Sequence, residues 1–212
     1  MNDLHTFSFP SLLDLHDGLC ADLLYAPASA LDNINSVDVQ KHNVLAFAKS
    51  LDYPIHLSRV WCSEQRWNTM VRQYLDPTST KEWLDTIESA FPSSKRGIAV
   101  LRTNTVEKRK TGKGTTRRWG SCMLSLSFRR VPYPQITLHS RTSYLGYLSL
   151  LDLGVAHVAG RYISERTDIP VENISFVWSL EMAQFHGFPV TIIRAIELFP
   201  EFLECPKLFL IS

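Results

Sequence analysis

Cysteine is scarce in this sequence: Cys20, Cys62, Cys122 and Cys205 are all there is, and no two of them form a C-x-x-C pair. That spacing excludes the usual paired-cysteine redox and zinc motifs, implies no metal, and suits a reducing cytosol. A surplus of one charge is also lacking. Lysines and arginines number 22 against 21 acids, and a net charge of +1 gives no global pull on polyanions. Phosphate must therefore be met by local clusters, and no direct contact with nucleic acid is expected. Long apolar runs are missing too. Even "YLGYLSLLDLGVAHVAGRYI" carries an aspartate, a histidine and an arginine, which excludes a membrane span there. The opening "MNDLHTFSFPSLLDLHD" has no basic stretch leading into an apolar core, so no leader is expected and the reading is cytoplasmic. No repeat, low-complexity tract or linker divides the 212 residues, of which 45% are hydrophobic, and one domain over 1–212 is expected.

What is present changes character along the chain. The first ninety residues read as helical segments. "DVQKHNVLAFAKSL" groups Val44, Leu45, Phe47, Ala48 and Leu51 on one helical side, "NTMVRQYLD" and "TKEWLDTIESAF" suggest two more helices, and "HLSRVW" a short strand. After "FPSSKR" strands take over. "GIAVLRTNTV" and "SCMLSLSFRRV", separated by the polar run "EKRKTGKGTTRRWG", and then "YPQITLHSRTS" read as antiparallel neighbours. "YLGYLSLLDLGVAHVAGRYISERTD" carries the apolar stripe of a long amphipathic or buried helix, "NISFVWSLEMAQFH" returns as a strand, a helix begins near Pro189, and "CPKLFLIS" closes as a short strand. The class is α+β.

Two residues stand out chemically. Cys122 opens an alternating run with arginines on both sides in "RRWGSCMLSLSFRR". A free cysteine is most often a small inert hydrophobe, whereas nearby positive charge favours the nucleophilic thiolate. Asp152 falls on the apolar face of its helix, where an unpaired carboxylate is costly or has its pKa raised; it needs a partner, either a structural donor or a ligand with amine or ring N–H groups. Lys95 with Arg96, and Arg141 with Thr142 and Ser143, are candidate phosphate contacts. "TGKGTT" lacks the Walker spacing and reads as a basic loop. "WGSC" departs from the cysteine-protease fragment C-G-S-C-W at Trp119 and Met123, and strand-like alternation follows it.

From Lys95 onward the order of segments resembles the superfamily of thymidylate synthases and pyrimidine-nucleotide hydroxymethylases. "SKRGIAVLRTN" is similar to S-R-R-I-I-V-x-x-W-N, "GSCMLSLSF" to P-C-H-x-x-x-Q-F, "HSRTSYLGYLSLLDLG" to Q-R-S-x-D followed by L-G-x-P-F-N, "FVWSLEMAQFH" to F-I-H-T-L-G-D-A-H-I-Y, and "CPKLFLI" to the late F-P-K-L strand. The resemblance covers about the last 120 residues. It implies a mixed sheet with a long buried helix, sheets packing in a dimer, a divergent N-terminal part over 1–94, and a nucleotide-binding and catalytic part over 95–212. By the same resemblance Cys122 is the nucleophile, Arg141 and Thr142 bind phosphate, Lys95 and Arg96 reach the phosphate of a second subunit, and Asp152 reads the base. Gln184 and His186 fall where the family meets the sugar, and Glu64 in "WCSEQRW" is the candidate proton-shuttling glutamate.

The family's asparagine is replaced here by Asp152. An amide both donates and accepts, which suits uracil, whereas a carboxylate only accepts, which suits the amino group of cytosine. The implied activity is hydroxymethylation at C5 of dCMP or CMP, a pyrimidine nucleoside monophosphate, by addition of Cys122 to C6, with 5,10-methylenetetrahydrofolate as donor. Tyr144 stands at the family's folate-contacting aspartate, and the family's C-terminal extension over folate is not seen after Ser212. The alternatives are a folate-independent C5-modifying relative and a nucleotide-binding protein without turnover.

Overall fold

Alternation of buried and open side chains, broken at a few positions, lays down a mixed sheet. The computed structural model describes residues 4–25, 33–34, 38–53, 63–90, 98–102, 107–110, 116–119, 122–145 and 149–186. The strands are β1 His5–Phe9, β2 Asn33–Ile34, β3 Asp38–Ala48, β4 Ile98–Arg102, β5 Glu107–Lys110, β6 Thr116–Trp119, β7 Met123–Arg129, β8 Gln135–Tyr144 and β9 Ser175–His186. The helices are α1 Leu12–Tyr25, α2 Glu64–Tyr74, α3 Pro77–Ala90 and α4 Ser149–Arg166. Strand order in the main sheet is β1-β3-β9-β8-β7-β4, with β2 added to β3; among the described residues β5 and β6 pair only with each other. The β1–β3 and β8–β9 pairs are parallel, and β3–β9, β7–β8 and β4–β7 are antiparallel. The class is thus α+β, and "GIAVLRTNTV", "SCMLSLSFRRV" and "YPQITLHSRTS" do lie side by side and antiparallel as their pattern requires.

The main departure from the sequence reading is residues 38–48, where a helix is expected and β3 is found. Its apolar residues fit both a helical and an alternating template. Pairing decides between them, because β3 lies between β1 and β9 and satisfies its backbone along both edges. The basic run after β4 is likewise a hairpin, β5 with β6, where a loop is expected. "NTMVRQYLD" and "TKEWLDTIESAF" do form helices. In α3, Pro77 occupies the first turn and Asp76 caps it, its Oδ1 accepting from the Ser79 N–H at 3.0 Å; that bond leads the causes that hold the Asp76 carboxyl below its ordinary value. The expected strand at "HLSRVW", the helix near Pro189 and the strand "CPKLFLIS" lie outside the described residues.

The core sits on one side of the sheet. Phe128, Phe176 and Trp178 from the strands, together with Leu12, Leu15, Leu19 and Leu23 of α1, are almost wholly shielded from solvent. At about 25 cal/mol per Å2, each such side chain contributes roughly 1.5–3 kcal/mol of burial. α4 buries its first turns and exposes Arg161, Glu165 and Arg166. Its Gly160 is required by close approach, since a Cβ there would lie 2.1 Å from Leu51 Cδ2. Among the described residues, no helix is long and apolar enough to cross a membrane.

One irregularity sets the position of the site. Taking the residues no more than 4% exposed, β3 runs Val39, Lys41, then Val44, Ala46 and Ala48; β9 runs Phe176, Trp178, Leu180, then Ala183 and Phe185; β8 runs Ile136, Leu138, Ser140, then Ser143 and Leu145 just beyond its end. Each strand takes one three-residue step. The steps fall abreast, at Asn43, Glu181 and Arg141, all exposed, and the ladder pairs resume in unchanged register beyond them. Asn43 has φ 52°, a left-handed conformation that asparagine tolerates. β7 carries its own register shift between Met123 and Ser125. The sheet therefore turns along one line, and Cys122 and Arg141 stand on it.

Candidate active site

Cys122 immediately precedes β7, half-buried, and its carbonyl accepts the Arg141 backbone N–H at 2.8 Å. That bond ties the start of β7 to the turning line of β8. The exposed Arg141 side chain also acts on the Cys122 sulfur, its charge and hydrogen-bonding capacity both favouring the thiolate. Asp152 comes from the first turn of α4, 5% exposed, and its Oδ2 accepts from the Ser143 hydroxyl at 2.8 Å. Ser143, 1% exposed, is one of the residues that the three-residue step in β8 turns inward.

The charges of this group act on one another. Burial raises the Asp152 carboxyl from 3.8 to about 7, against the smaller opposing pull of the Ser143 hydrogen bond. Near neutrality it therefore exists both as acid and as carboxylate, able to give or take one proton. For Cys122, burial first and then the negative charge of Asp152 push the thiol up, while the Arg141 charge and hydrogen bond pull it part of the way back. The sulfur thus lies within electrostatic reach of both the guanidinium and the carboxyl.

Other residues singled out in the sequence fall elsewhere. Thr142 is buried in β8 opposite Met182, and Gln184 is buried in β9, its backbone carbonyl accepting from the Leu145 N–H at 2.8 Å. His186 ends β9 in register with Asp38. Glu64 is exposed in the first turn of α2, and no hydrogen bond or ion pair among the described residues joins it to Cys122 or Asp152. Lys95 and Arg96 lie outside the described residues. Arg129, expected to lend charge to Cys122, ends β7 seven positions away and sits 5.0 Å over the Tyr133 ring. Ser143, read as a phosphate contact, is instead the partner of Asp152.

A second sulfur has a polar setting that sequence reasoning passed over. On α1, Cys20 Sγ lies 3.6 Å from His16 Nε2, and His16 Nδ1 lies 2.9 Å from Asp17 Oδ1. Burial opposes the charged imidazole, but the charges of Cys20 and Asp17 and the hydrogen bonds to both raise His16 to about 9. The i, i+4 spacing of His16 and Cys20 was the available signal.

Neither a family model nor a curated relative matches this chain. Among solved structures it is similar to the crystal structure of thymidylate synthase from T4 phage, at 14% identity and a TM-score of 0.36 over 56% of this chain. The matched part spans only 38% of that structure's chain.

Proposed function

We propose that Cys122, Arg141, Asp152 and Ser143 form a site that activates C5 of a cytosine nucleotide, the chemistry of a pyrimidine C5 one-carbon transferase. The single observation that carries this reading is the meeting of a half-open sulfur, a guanidinium and a buried carboxyl titrating near 7, contributed by separate elements. The Cys122 sulfur, freed of its proton to solvent, bonds to C6 of the ring. The ring electrons move toward N3, which takes the proton of Asp152. C5 of the resulting enamine is then nucleophilic and takes a proton from water, or a one-carbon unit at the formaldehyde level that water completes to hydroxymethyl; loss of the original C5 proton and departure of the Cys122 thiolate from C6 restore the ring.

Cytosine suits Asp152 for a physical reason. Its N3 is basic and its N4 amino group donates, so the acid gives one hydrogen bond while its second oxygen accepts another. Uracil has no basic N3 to receive the proton. Arg141, with Thr142 beside it, would serve the nucleotide's phosphate as well as the sulfur, and Gln184 and His186 the sugar, while Glu64 remains the candidate proton shuttle. Methylenetetrahydrofolate fits these residues poorly. Tyr144, in backbone register with Gln184, offers a phenol where a carboxylate for folate is expected. A homodimer, with Lys95 and Arg96 serving the partner's phosphate, belongs to the same reading. Its support is the sheet face away from the helices, where Ile98 is 63% and Val100 53% exposed.

Isotope exchange at C5 of dCMP, CMP and dUMP tests the reading. Exchange on the cytosine nucleotides, lost in Cys122→Ser while nucleotide binding persists, is the expected result. Exchange that survives Cys122→Ser would overturn it. Binding without exchange in the unsubstituted protein would favour a nucleotide-binding protein without turnover, the reading suggested by the exposed position of Glu64.

A further inference from the structure

The near-neutral total charge conceals an uneven layout. Between Lys95 and Arg130 the sequence holds eleven of its 22 lysines and arginines and a single acid, Glu107; the remainder holds eleven against twenty acids. A strongly basic segment is thus set into an acidic molecule, a pattern that points to a polyanionic partner. Five of these cations, Lys108, Arg109, Lys110, Arg117 and Arg118, belong to the β5–β6 hairpin.

The register of that hairpin is what makes the charge informative. Lys108 stands opposite Arg118, and Arg109 opposite Arg117. Like charges directly opposed across an antiparallel pair destabilise it, and a two-stranded hairpin is marginal in water even without them. Among the described residues this hairpin is a sheet of its own, with no third strand beside it. Residues that follow one another in a strand belong to opposite faces, so each face of the hairpin holds one such pair, Lys108 with Arg118 on one and Arg109 with Arg117 on the other. Each pair is unfavourable unless an anion neutralises it, and cations on both faces suit a run of phosphates passing over the ribbon better than a single phosphate. Trp119, opposite Glu107 at the base of the arm, is of the residue type on which unpaired bases stack, and Cys122 follows three positions later.

We propose that the β5–β6 hairpin is an arm that grips the phosphodiester backbone of single-stranded nucleic acid, and that the pyrimidine reaching Cys122 is carried within a polynucleotide. The delivery of the base rests on the C5-activation reading above; the grip does not. A single strand is specified because sulfur reaches C6 only from the face of the ring, which stacking covers in a duplex. This departs from the expectation drawn from net charge alone.

The test uses the full chain and fluorescein-labelled 15-mers of deoxycytidylate, cytidylate and deoxyadenylate, followed by anisotropy across a potassium chloride series. Binding should weaken steeply with salt, by a slope of about 0.7 per phosphate neutralised. Replacing Arg109→Gln and Arg117→Gln together should weaken all three about tenfold or more and lower the slope by about 1.4. Lys108→Gln with Arg118→Gln should do the same from the other rung. Comparing ribose with deoxyribose strands distinguishes RNA from DNA as the source. Unchanged affinity in both double variants would overturn the proposal, as would an acidic peptide of equal charge that binds as tightly. Exchange assays on the same oligonucleotides and on dCMP separate the two readings. Oligonucleotide binding with no exchange on any substrate defeats the C5 reading and leaves the arm standing. Exchange on dCMP with no oligonucleotide binding defeats the arm and leaves the C5 reading standing.

Discussion

The two described cysteines make an instructive pair. Cys20 has an imidazole at 3.6 Å with a carboxylate behind it, the residue types of a nucleophilic triad, yet Cys20 and His16 are both 0% exposed inside the α1 layer. Cys122 has a guanidinium and a buried carboxyl, a less familiar set, but lies half-open where strands turn. Access separates them more sharply than chemical company does. A buried imidazole and sulfur satisfy each other; a half-open sulfur leaves its partners free for a third molecule.

Alkylation with iodoacetamide, read by peptide mapping, tests this contrast most strongly. Cys122 should react about a thousandfold faster than Cys20, which is reached only when the α1 layer opens, at a cost of several kcal/mol. Equal rates would erase the distinction.

Stability against pH gives the next largest effect and separates the groups by window. Asp152 is raised in the folded protein from 3.8 to about 7, so the folded state keeps a proton that the unfolded chain has lost, and stability falls as pH rises between those values. The loss is on the order of 4 kcal/mol, and Asp152→Asn should flatten it. His16 is raised from 6.5 to about 9; its contribution is fully present below 6.5 and disappears as pH rises through 9, a decline that His16→Gln should remove. Denaturant midpoints at fixed pH check both, and a decline between pH 4 and 7 that persists in Asp152→Asn would contradict the burial argument.

Chemistry at Cys122 comes third. Asp152→Asn should slow C5 exchange on dCMP about a hundredfold by removing the proton donor. It should also lower the thiol pKa, because the charge that raises it is gone. The unsubstituted protein should show exchange that rises to about pH 7, levels, and falls at higher pH, while the variant's should keep rising with the thiolate. Identical profiles would sink the assigned role. The smallest effect belongs to Ser143→Ala, which removes a buried hydrogen bond worth about 1 kcal/mol and should move the Asp152 titration upward, visible by carboxyl NMR.

Much of the sheet was legible because β4, β7, β8 and β9 alternate and are bounded by turn residues. β3 was not, since its apolar spacing fits two templates and only its neighbours on both sides choose between them. The hairpin was hidden by its own charge, which reads as loop. In the site, Asp152 announced its need for a partner from its helix position alone, but Ser143 could not be identified as that partner. Alternation from Ile136 sends Ser143 to the open side, and only the step at Arg141 turns it inward. The neighbourhood of Cys122 and Asp152 was indicated by resemblance, because the twenty-nine intervening residues carry no local sign of contact.

The row of steps at Asn43, Glu181 and Arg141 also constrains how this protein tolerates gain or loss of residues. Deleting any one of the three would restore simple alternation in its own strand and swap inside for outside in everything beyond, exposing Phe185 or drawing Ser143 away from Asp152. The neighbouring strands would stay as they were, and the ladder would no longer match. A length change at this level is tolerable only when all three strands accept it together.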